Sequence, residues 1–239
     1  MANAGGTLSV RSAVLTRLSK LATLTPAETD SLLAAERDGR RLSARRDLVE
    51  EGQPLREARA LLSGWACRQR ILPDGRRQIL SFVLPGDLVG LRRHADEVAT
   101  STIMAVTDLV TCPLPTPQRG SSLEEAYGHS LAMDDQHHLA QIVRLGRLNA
   151  PERIADWLLE TQDRLTLAGL SDADRFPLPL TQEMLADALG LTSVHVNRTL
   201  QSMRRDGLLT FRAGMISLPE RSRLEHLAGY KAPHPGGRR

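Results

Sequence analysis

The sequence predicts an α+β protein that combines an antiparallel β-barrel, a long helix and a C-terminal winged helix-turn-helix. Three observations predict it: short alternating strands over residues 42–114, helical spacing over residues 121–148, and two short helix patterns around Gly190 followed by a hairpin. A chain of 239 residues is long enough to bury two cores. The expected segments are N-terminal helices and barrel in 1–118, the long helix in 119–149 and the winged helix-turn-helix in 150–239.

Two amphipathic helices are predicted before the barrel, over residues 8–24 and 26–36. Thr25 is suited to cap the second helix, because its hydroxyl can accept a hydrogen bond from a free backbone N–H group. Pro26 then occupies the first helical position, where its fixed φ is favourable. The barrel should follow these helices, since the period of the apolar residues changes after them.

Period-two alternation replaces helical spacing from residue 42 onward. In one predicted strand the odd-numbered residues from Trp65 to Ile71, Cys67 among them, face one way, while Arg68 and Arg70 face the other. A Pro-Asp-Gly turn at 73–75 leads into a second strand over 78–84, which ends at a Pro-Gly-Asp turn at 85–87. Strands over 102–106 and 109–114 complete the pattern of a small antiparallel barrel.

A long helix is predicted from the cap Ser121, with Glu124 three residues later, to about residue 148. A helix of about 27 residues spans roughly 40 Å, which is enough to link two domains and to pair with its twin in a dimer. The apolar face that we predict to form this dimer seam consists of Leu123, Tyr127, Leu131, Leu139, Ile142 and Leu145.

The two short helices around Gly190 have the pattern of a helix-turn-helix. The first is capped by Thr181, and glycine suits its end because the turn out of a helix often needs a positive φ. The second begins near Thr192 or Ser193, and its apolar residues Val196, Leu200 and Met203 recur at helical spacing and should pack inward. The opposite face, which we predict to enter a DNA major groove, carries Ser193, Val194, Asn197, Arg198, Gln201 and Arg205.

A hairpin is predicted after the second helix, with strands over residues 208–211 and 215–218. We expect Leu208, Phe211 and Ile216 to be buried under the two helices. Arg212 would then point at the phosphate backbone, where it adds positioning without sequence information.

The local charge supports a nucleic-acid partner, although the net charge of the chain is only +3. Residues 190–239 hold nine Lys or Arg against three Asp or Glu, a net charge of +6. Residues 151–189 hold three against eight, a net charge of −5. The positive charge therefore begins at the second helix, which suits phosphate contacts, whereas the acidic segment before it does not.

The sequence lacks the signals of several other protein classes. It holds no run of eighteen apolar residues and no signal peptide, so we expect a cytoplasmic protein with no membrane partner. No phosphate-binding glycine loop, nucleophile elbow or histidine–glutamate zinc motif occurs, so we expect neither an enzyme nor a bound metal. An iron–sulfur cluster needs about four cysteine ligands, and the sequence has two, Cys67 and Cys112.

Three groups of polar or reactive residues invite a sensor interpretation. Cys67 in its apolar strand is expected to be an ordinary core residue, with a redox thiol or a haem ligand as the alternatives. His137 and His138 are adjacent and point about 100° apart on the long helix, so we expect a solvated or dimer-packing role rather than a ligand pair. The carboxylates of the same helix are expected to be a solvated face: Glu124, Glu125, Asp134 and Asp135.

The order of barrel, long helix and winged helix resembles the Crp/Fnr family, the cyclic AMP receptor protein and fumarate-nitrate regulator transcription factors. The resemblance covers nearly the whole chain and is strongest over residues 180–183 and 190–200, with support from Gly75, residues 85–88 and residues 150–155. It implies a cyclic-nucleotide-binding-like jelly roll and a homodimer whose reading helices lie roughly 34 Å apart on a palindromic operator. It also implies RNA polymerase as a partner if the protein is an activator.

Residue roles are carried over from the family by position. The resemblance implies base reading by Ser193, Val194 and Arg198, and the exposed face of the second helix adds Asn197 and Gln201 as predicted base readers. It implies phosphate contacts from Gln182, Thr192 and His195, to which Arg205 and Arg212 add positive charge.

This chain departs from the family pattern in the reading helix and in the effector pocket. Many members begin the reading helix with an arginine and a glutamate, where this chain has Ser193 and Val194, so its operator should differ. Arg198 can still read guanine, and Val194 suits a thymine methyl group. In the pocket, Leu91 follows Gly90 where nucleotide binders have an acidic residue.

Thr100 stands at the pocket position where nucleotide binders have the arginine that pairs with the cyclic phosphate. Cyclic AMP is therefore not expected, although Arg92 or Arg93 could substitute for that arginine. The effector is unknown, and no cofactor is predicted. The alternative function is an effector-binding or protein-interaction module whose winged helix docks a protein rather than DNA.

Overall fold

The computed structural model describes residues 12–91, 96–171 and 175–233. The predicted start of the first helix at residue 8 and the two candidate arginines, Arg92 and Arg93, lie outside these ranges. Two helices precede the strands, α1 (Ala13–Leu21) and α2 (Pro26–Arg37). Thr25 caps α2 as predicted, in a capping box in which Glu28 bonds back to the Thr25 backbone N–H.

Eight strands form two four-stranded antiparallel sheets, with the strand orders β1-β8-β3-β6 and β2-β7-β4-β5. The strands are β1 (Arg40–Leu42), β2 (Asp47–Val49), β3 (Arg59–Ser63), β4 (Ala66–Ile71), β5 (Arg77–Val83), β6 (Leu88–Val89), β7 (Thr102–Ala105) and β8 (Leu109–Pro113). Side chains from both sheets, such as Leu61 and Ile103, share one apolar cluster. The predicted barrel is thus a jelly roll of two packed sheets.

The long helix α3 (Ser122–Arg147) is capped by Ser121 as predicted, and a second helix, α4 (Ala150–Leu167), follows it. Asn149 and Glu152 form a capping box at the start of α4, and Pro151 lies in its first turn. The C-terminal part contains β9 (Arg175–Pro177), α5 (Gln182–Leu189), α6 (Ser193–Arg205), β10 (Thr210–Arg212), β11 (Met215–Ser217) and α7 (Arg221–Ala228). Three of these elements lie outside the predicted set: α4, β9 and α7.

The core of the C-terminal part forms around α4. Buried side chains of α4 such as Leu158 share an apolar cluster with Phe176, Leu189, Val196 and Ile216, which come from β9, α5, α6 and β11. The same cluster extends into the outer face of the β4–β5 hairpin. The helix-turn-helix therefore packs on α4, and α4 packs on the jelly roll.

Three predictions about side-chain burial are wrong. Phe211 is 44% exposed, because all three residues of β10 face solvent. Leu123 and Tyr127 are buried against α1 and α2 inside the protomer, so they are not available for a dimer seam. His137 is 6% exposed rather than solvated, because it faces the jelly roll and α4.

Within the described ranges, no helix combines the length and the apolar composition that a membrane crossing requires.

Candidate nucleic-acid interface

The helix-turn-helix is built by local capping and by a small number of buried contacts. The Thr181 hydroxyl accepts a hydrogen bond from the Met184 N–H at 3.2 Å, as predicted for the cap of α5. Gly190 ends α5 with φ 61°, in the left-handed region that favours glycine. Thr192 caps α6 by accepting from the His195 N–H at 3.2 Å. These bonds set the two ends of the turn and hence the direction of α6.

One flank of α6 is buried and holds the other flank outward. Val196 and Met203 are buried and Leu200 is partly buried, as predicted, while the outward flank of α6 is largely exposed. Thr199 is also buried, and its hydroxyl donates to the His195 carbonyl at 2.9 Å. Because threonine is polar, the spacing of apolar residues along α6 does not identify this position as buried.

The predicted base-reading residues occupy the outward flank. Val194 is 65% exposed. The other exposed members are Ser193, Arg198 and Gln201. Asn197 is half-buried, and its amide donates to the Gln182 Oε1 at 2.9 Å. This bond joins the start of α5 to α6, so Asn197 positions Gln182.

The predicted phosphate contacts surround this flank. Gln182, Thr192 and His195 are exposed at the two helix starts. Arg205 is exposed in the last turn of α6, and Arg212 on the hairpin between β10 and β11. Arg204 is a further exposed cation beside Arg205 in the last turn of α6. It is not one of the predicted phosphate contacts, although its position next to Arg205 is visible in the sequence.

The hairpin is one edge of a three-stranded sheet with the order β10-β11-β9. Phe211 pairs with Ile216 across the β10–β11 ladder, and Ile216 pairs with Phe176 of β9. Phe176 and Ile216 are buried, whereas Phe211 and Met215 remain exposed. The wing is therefore anchored through β11 and β9, and its free edge projects from the domain.

Four carboxylates of the acidic segment before α6 pair with arginines. Glu160 and Asp156 accept hydrogen bonds from Arg144 of α3. Asp163 pairs with Arg221 of α7 at 2.9 Å. Asp187 pairs with Arg77 of β5 at 2.6 Å.

These pairings explain how a segment with a net charge of −5 can lie next to the predicted phosphate contacts. Arginines from outside the segment neutralise four of its carboxylates, while the exposed cations of α6 and the wing remain at the surface. The electrostatic potential at the exposed face of α6 is therefore more positive than the net charge of residues 151–189 would indicate.

The helix-turn-helix, α5 and α6, is fixed to the rest of the chain at the end of α5. Arg153 donates to the Leu189 carbonyl at 2.8 Å and to the Leu145 carbonyl at 3.0 Å, so one guanidinium caps the ends of α5 and α3. Gln141 donates to the Ala188 carbonyl at 2.7 Å. Arg153 of α4 and Gln141 of α3 thus tie the end of α5 to both helices.

Apolar residues are exposed on the C-terminal half of α3. Leu139 is 64% exposed, Ile142 is 67% exposed and Val143 is 56% exposed. Leu131 and Leu145 are half-buried. Four residues of the predicted dimer seam therefore lie at or near the surface: Leu131, Leu139, Ile142 and Leu145.

The cleft between the jelly roll and α3 is a cavity of about 340 Å³. Leu91 and Thr100, at the two positions marked by the family resemblance, line it without offering a charged partner for a phosphate. Arg68 reaches it from β4 and donates to the Ser101 hydroxyl at 3.3 Å, and burial lowers the pKa of Arg68. Asp134 of α3 lies in the same lining. Among the described lining residues, neither Leu91 nor Thr100 can form the charge-assisted pair with a phosphate that the family resemblance assigns to these positions.

The two cysteines are buried in apolar surroundings. Cys67 has no exposed surface, and burial raises the pKa of its thiol to about 11. Burial likewise raises the pKa of Cys112 to about 11. Both thiols are protonated at neutral pH, which favours the core role predicted for Cys67 over a reactive one.

His137 lies against Arg164 in the same interior region. Burial, together with the positive charge of Arg164, lowers the pKa of His137 to about 3. Its Nδ1 atom has no hydrogen-bond partner among the residues that the structure describes. His138 is exposed on the next position of α3.

Two family models match the chain. The cyclic nucleotide-binding domain matches residues 39–118, and the Crp-like helix-turn-helix domain matches residues 152–227. The latter match contains the whole reading surface described above.

Relatives with known roles align over most of the chain. The chain is 35% identical over 176 residues to the nitrogen fixation regulation protein FixK of Bradyrhizobium diazoefficiens, covering 70% of this chain and 72% of that protein. It is 29% identical over 184 residues to the transcriptional activator protein FnrL of Cereibacter sphaeroides, covering 71% of each.

Solved structures show the same architecture. FixK2 from Bradyrhizobium japonicum is similar with a TM-score of 0.66 and 29% identity, covering 82% of this chain and 98% of that chain. A transcriptional regulator of the CRP family from Thermus thermophilus is similar with a TM-score of 0.64 and 26% identity, covering 82% of this chain and 100% of that chain. With the reading helix, the wing and the jelly roll in this order, the chain belongs to the Crp/Fnr family of DNA-binding transcription regulators.

Proposed function

We propose that this regulator binds a palindromic operator as a homodimer, with one α6 helix in each of two successive major grooves. The observation that carries the proposal is the exposed face of α6, held outward by Val196 and Met203. Arg198 supplies a fork of donors for guanine, and Val194 supplies an apolar contact for a thymine methyl group. Arg205 and Arg212 add phosphate contacts on either side.

The dimer is proposed to form through the C-terminal half of α3. Leu139, Ile142 and Val143 are each more than half exposed in the protomer. Three large apolar side chains on two turns of one helix favour burial against a second copy. The seam therefore excludes Leu123 and Tyr127, which already pack inside the protomer.

Cyclic AMP is not the proposed effector. Leu91 and Thr100 replace the acidic residue and the arginine of nucleotide binders, and the carboxylate of Asp134 lines the same cleft. An iron–sulfur cluster is not proposed either, because two buried cysteines are too few to hold one. The effector, if the cleft takes one, has a different chemistry.

Partners and location follow from the class of protein. The relative from Cereibacter sphaeroides is named a transcriptional activator. If this chain also activates, RNA polymerase is its further partner.

Because it acts on DNA, we propose that the protein works in the cytoplasm. An enzymatic role is not proposed, because the relatives are transcription regulators. The protein-docking alternative is not favoured, since the outward face carries the residue types that read and position DNA.

The test is a salt titration of binding to duplex DNA, read by fluorescence anisotropy. Each neutralised phosphate contributes about 0.9 to the slope of log affinity against log salt, so two cationic contacts per protomer predict a magnitude of about 4 for the dimer. Replacing Arg212 with alanine should lower the slope by about 2, one unit per protomer. Binding that is insensitive to salt, or absent for duplex DNA, would contradict the proposal.

A further inference from the structure

A buried chain of ion pairs connects the jelly roll to the helix that carries the DNA-binding unit. It alternates in charge and runs from α1, through the turn between β5 and β6, into α4 and then to α3. Its members in spatial order are Arg17, Asp87, Arg164, Glu160, Arg144 and Asp156. Five of these side chains are 8% exposed or less, and Asp156 is 14% exposed.

Asp87 is the junction on the jelly-roll side. Its two carboxylate oxygens pair separately with Arg17 of α1 and Arg164 of α4. The second oxygen also accepts from the Leu84 N–H at 2.7 Å, which fixes the carboxylate to the turn. Gly86 makes this turn with φ 95°, and a Cβ atom there would lie 3.1 Å from the Ala13 carbonyl oxygen. The turn is therefore held tightly against α1.

Arg164 crosses from α4 into the jelly roll. Its guanidinium reaches Asp87 and donates to the Phe82 carbonyl of β5 at 2.9 Å. On the α4 side it lies 3.5 Å from Glu160, one helical turn earlier. One side chain thus joins two parts of the fold that are 82 residues apart in sequence.

Glu160 and Arg144 continue the chain to the long helix. Burial would raise the pKa of Glu160, but the nearby positive charges, Arg144 first and Arg164 after it, together with the hydrogen bond from Arg144, hold that pKa below its usual value. Arg144 donates to Glu160 at 2.6 Å and to Asp156 at 2.7 Å. Three arginines thus face three carboxylates, and the buried charges balance.

The apolar contact beside these ion pairs does not fix an orientation by itself. Phe82 of β5 packs edge-on against Trp157 of α4, with ring centroids 5.5 Å apart. Apolar burial is non-directional, whereas a buried ion pair offsets its desolvation cost only when its geometry is good. The ion-pair chain is therefore the part of the interface that specifies one angle between α4 and the jelly roll.

We propose that Arg164 is a positioning residue for operator binding, because it sets the angle of α4 and hence the distance between the two reading helices of the dimer. The inference rests on the proposed function, since it presupposes two reading helices on one operator. Arg164 touches no DNA in this arrangement. It acts through α4, whose core side chains pack against α5 and α6.

The experiment measures how sharply the protein selects the spacing between two half-sites. A series of duplexes carries the preferred half-sites with the spacer lengthened or shortened one base pair at a time. The variant Arg164→Met keeps the length of the side chain and removes its charge, while Asp87 retains Arg17 and Glu160 retains Arg144. We expect the ratio of affinities between the best and the neighbouring spacings to fall about three- to thirty-fold.

Arg221→Met is the matched control. Arg221 also anchors α4, through Asp163 and Gln162, but its contacts lie within the DNA-binding unit. This variant should keep the wild-type spacing ratio even if its thermal midpoint falls. A purely structural role for Arg164 would lower the binding-competent fraction equally at all spacings and leave the ratio unchanged.

Two further variants protect the test against misfolding. Arg164→Lys keeps the charge and should restore part of the spacing ratio, while Glu160→Gln keeps the shape of the next member of the chain and should lower the ratio in the same direction. An unchanged ratio in Arg164→Met, or in Glu160→Gln if Arg164→Met does not fold, overturns the inference. If the wild-type protein itself shows no preferred spacing, the proposed function fails instead.

Discussion

Arg198 is the only charged side chain among the five predicted base readers, and it is exposed on the outward flank of α6. The neighbouring Ser193, Val194 and Gln201 offer one hydroxyl, one apolar surface and one amide. A bidentate contact from arginine to guanine discriminates more strongly than contacts of these other types. Specificity in this protein should therefore depend on Arg198 more than on any other position of α6.

Replacing Arg198 with alanine should cost about 1 to 3 kcal/mol of binding free energy on the preferred operator and change nonspecific binding little. His195→Ala is the contrasting variant, because a phosphate contact should weaken binding to all sequences alike. Both are measured by anisotropy on operator and scrambled duplexes at one salt concentration. Equal losses on both duplexes for Arg198→Ala would remove its assigned role.

His137 should make stability depend on pH. Burial lowers the pKa of His137 from 6.5 to about 3 in the folded protein, so between these values the unfolded chain binds a proton that the folded chain does not. The stability of the fold with a neutral His137 is fully present above about pH 6.5, and it is lost progressively as the pH falls toward 3. The expected loss in the free energy of unfolding is about 1 kcal/mol per pH unit.

The measurement is urea unfolding between pH 7.5 and pH 4.5, comparing the wild-type protein with His137→Gln. The variant should show a shallower pH dependence, because its side chain does not titrate. His138→Gln removes the exposed neighbour and should retain the wild-type dependence. Parallel curves for wild type and His137→Gln would show that another group causes the loss.

At the scale of single elements, capping residues made α2, α3, α5 and α6 predictable from sequence. Thr25, Ser121, Thr181 and Thr192 each accept a backbone N–H in the first turn, and this signal is local. The strand β9 carries no such signal, because three residues that end in a proline do not show alternation. Its pairing with β11 is a long-range contact.

The burial of side chains was less predictable than the elements themselves. Tyr127 and Ile142 share the apolar periodicity of α3, yet one packs inside the protomer and the other is 67% exposed. The difference arises from α1 and α2, which cover only the N-terminal half of α3. A periodic stripe thus indicates which face is apolar but not which partner covers it.

The exposed half of α3 leads to a prediction about the dimer. Replacing Ile142 with aspartate should place a charge in the seam and lower both the dimer fraction and the affinity for a two-half-site operator. The sedimentation mass should approach that of a monomer. Leu170→Asp is the control, since Leu170 is 41% exposed outside α3 and should leave the mass unchanged. An unchanged mass for Ile142→Asp would place the dimer contact elsewhere.

At the scale of the whole molecule, charge organises the interior as well as the DNA-binding surface. The ion-pair chain joins residues that are far apart in sequence, such as Arg17 and Asp87. A local sequence pattern cannot predict such a contact. Net charge by segment could identify the basic C-terminal region. It could not show that four of the preceding carboxylates are paired, because Arg77, Arg144 and Arg221 come from other elements.

Selection of bound sequences from a pool of random duplex DNA, using the purified protein, tests the central claim most directly. The account predicts enriched inverted repeats whose half-site centres lie about 10 base pairs apart, with a guanine in each half-site that Arg198→Ala no longer selects. Enrichment of no common sequence, or of single half-sites without a symmetric second copy, would contradict it.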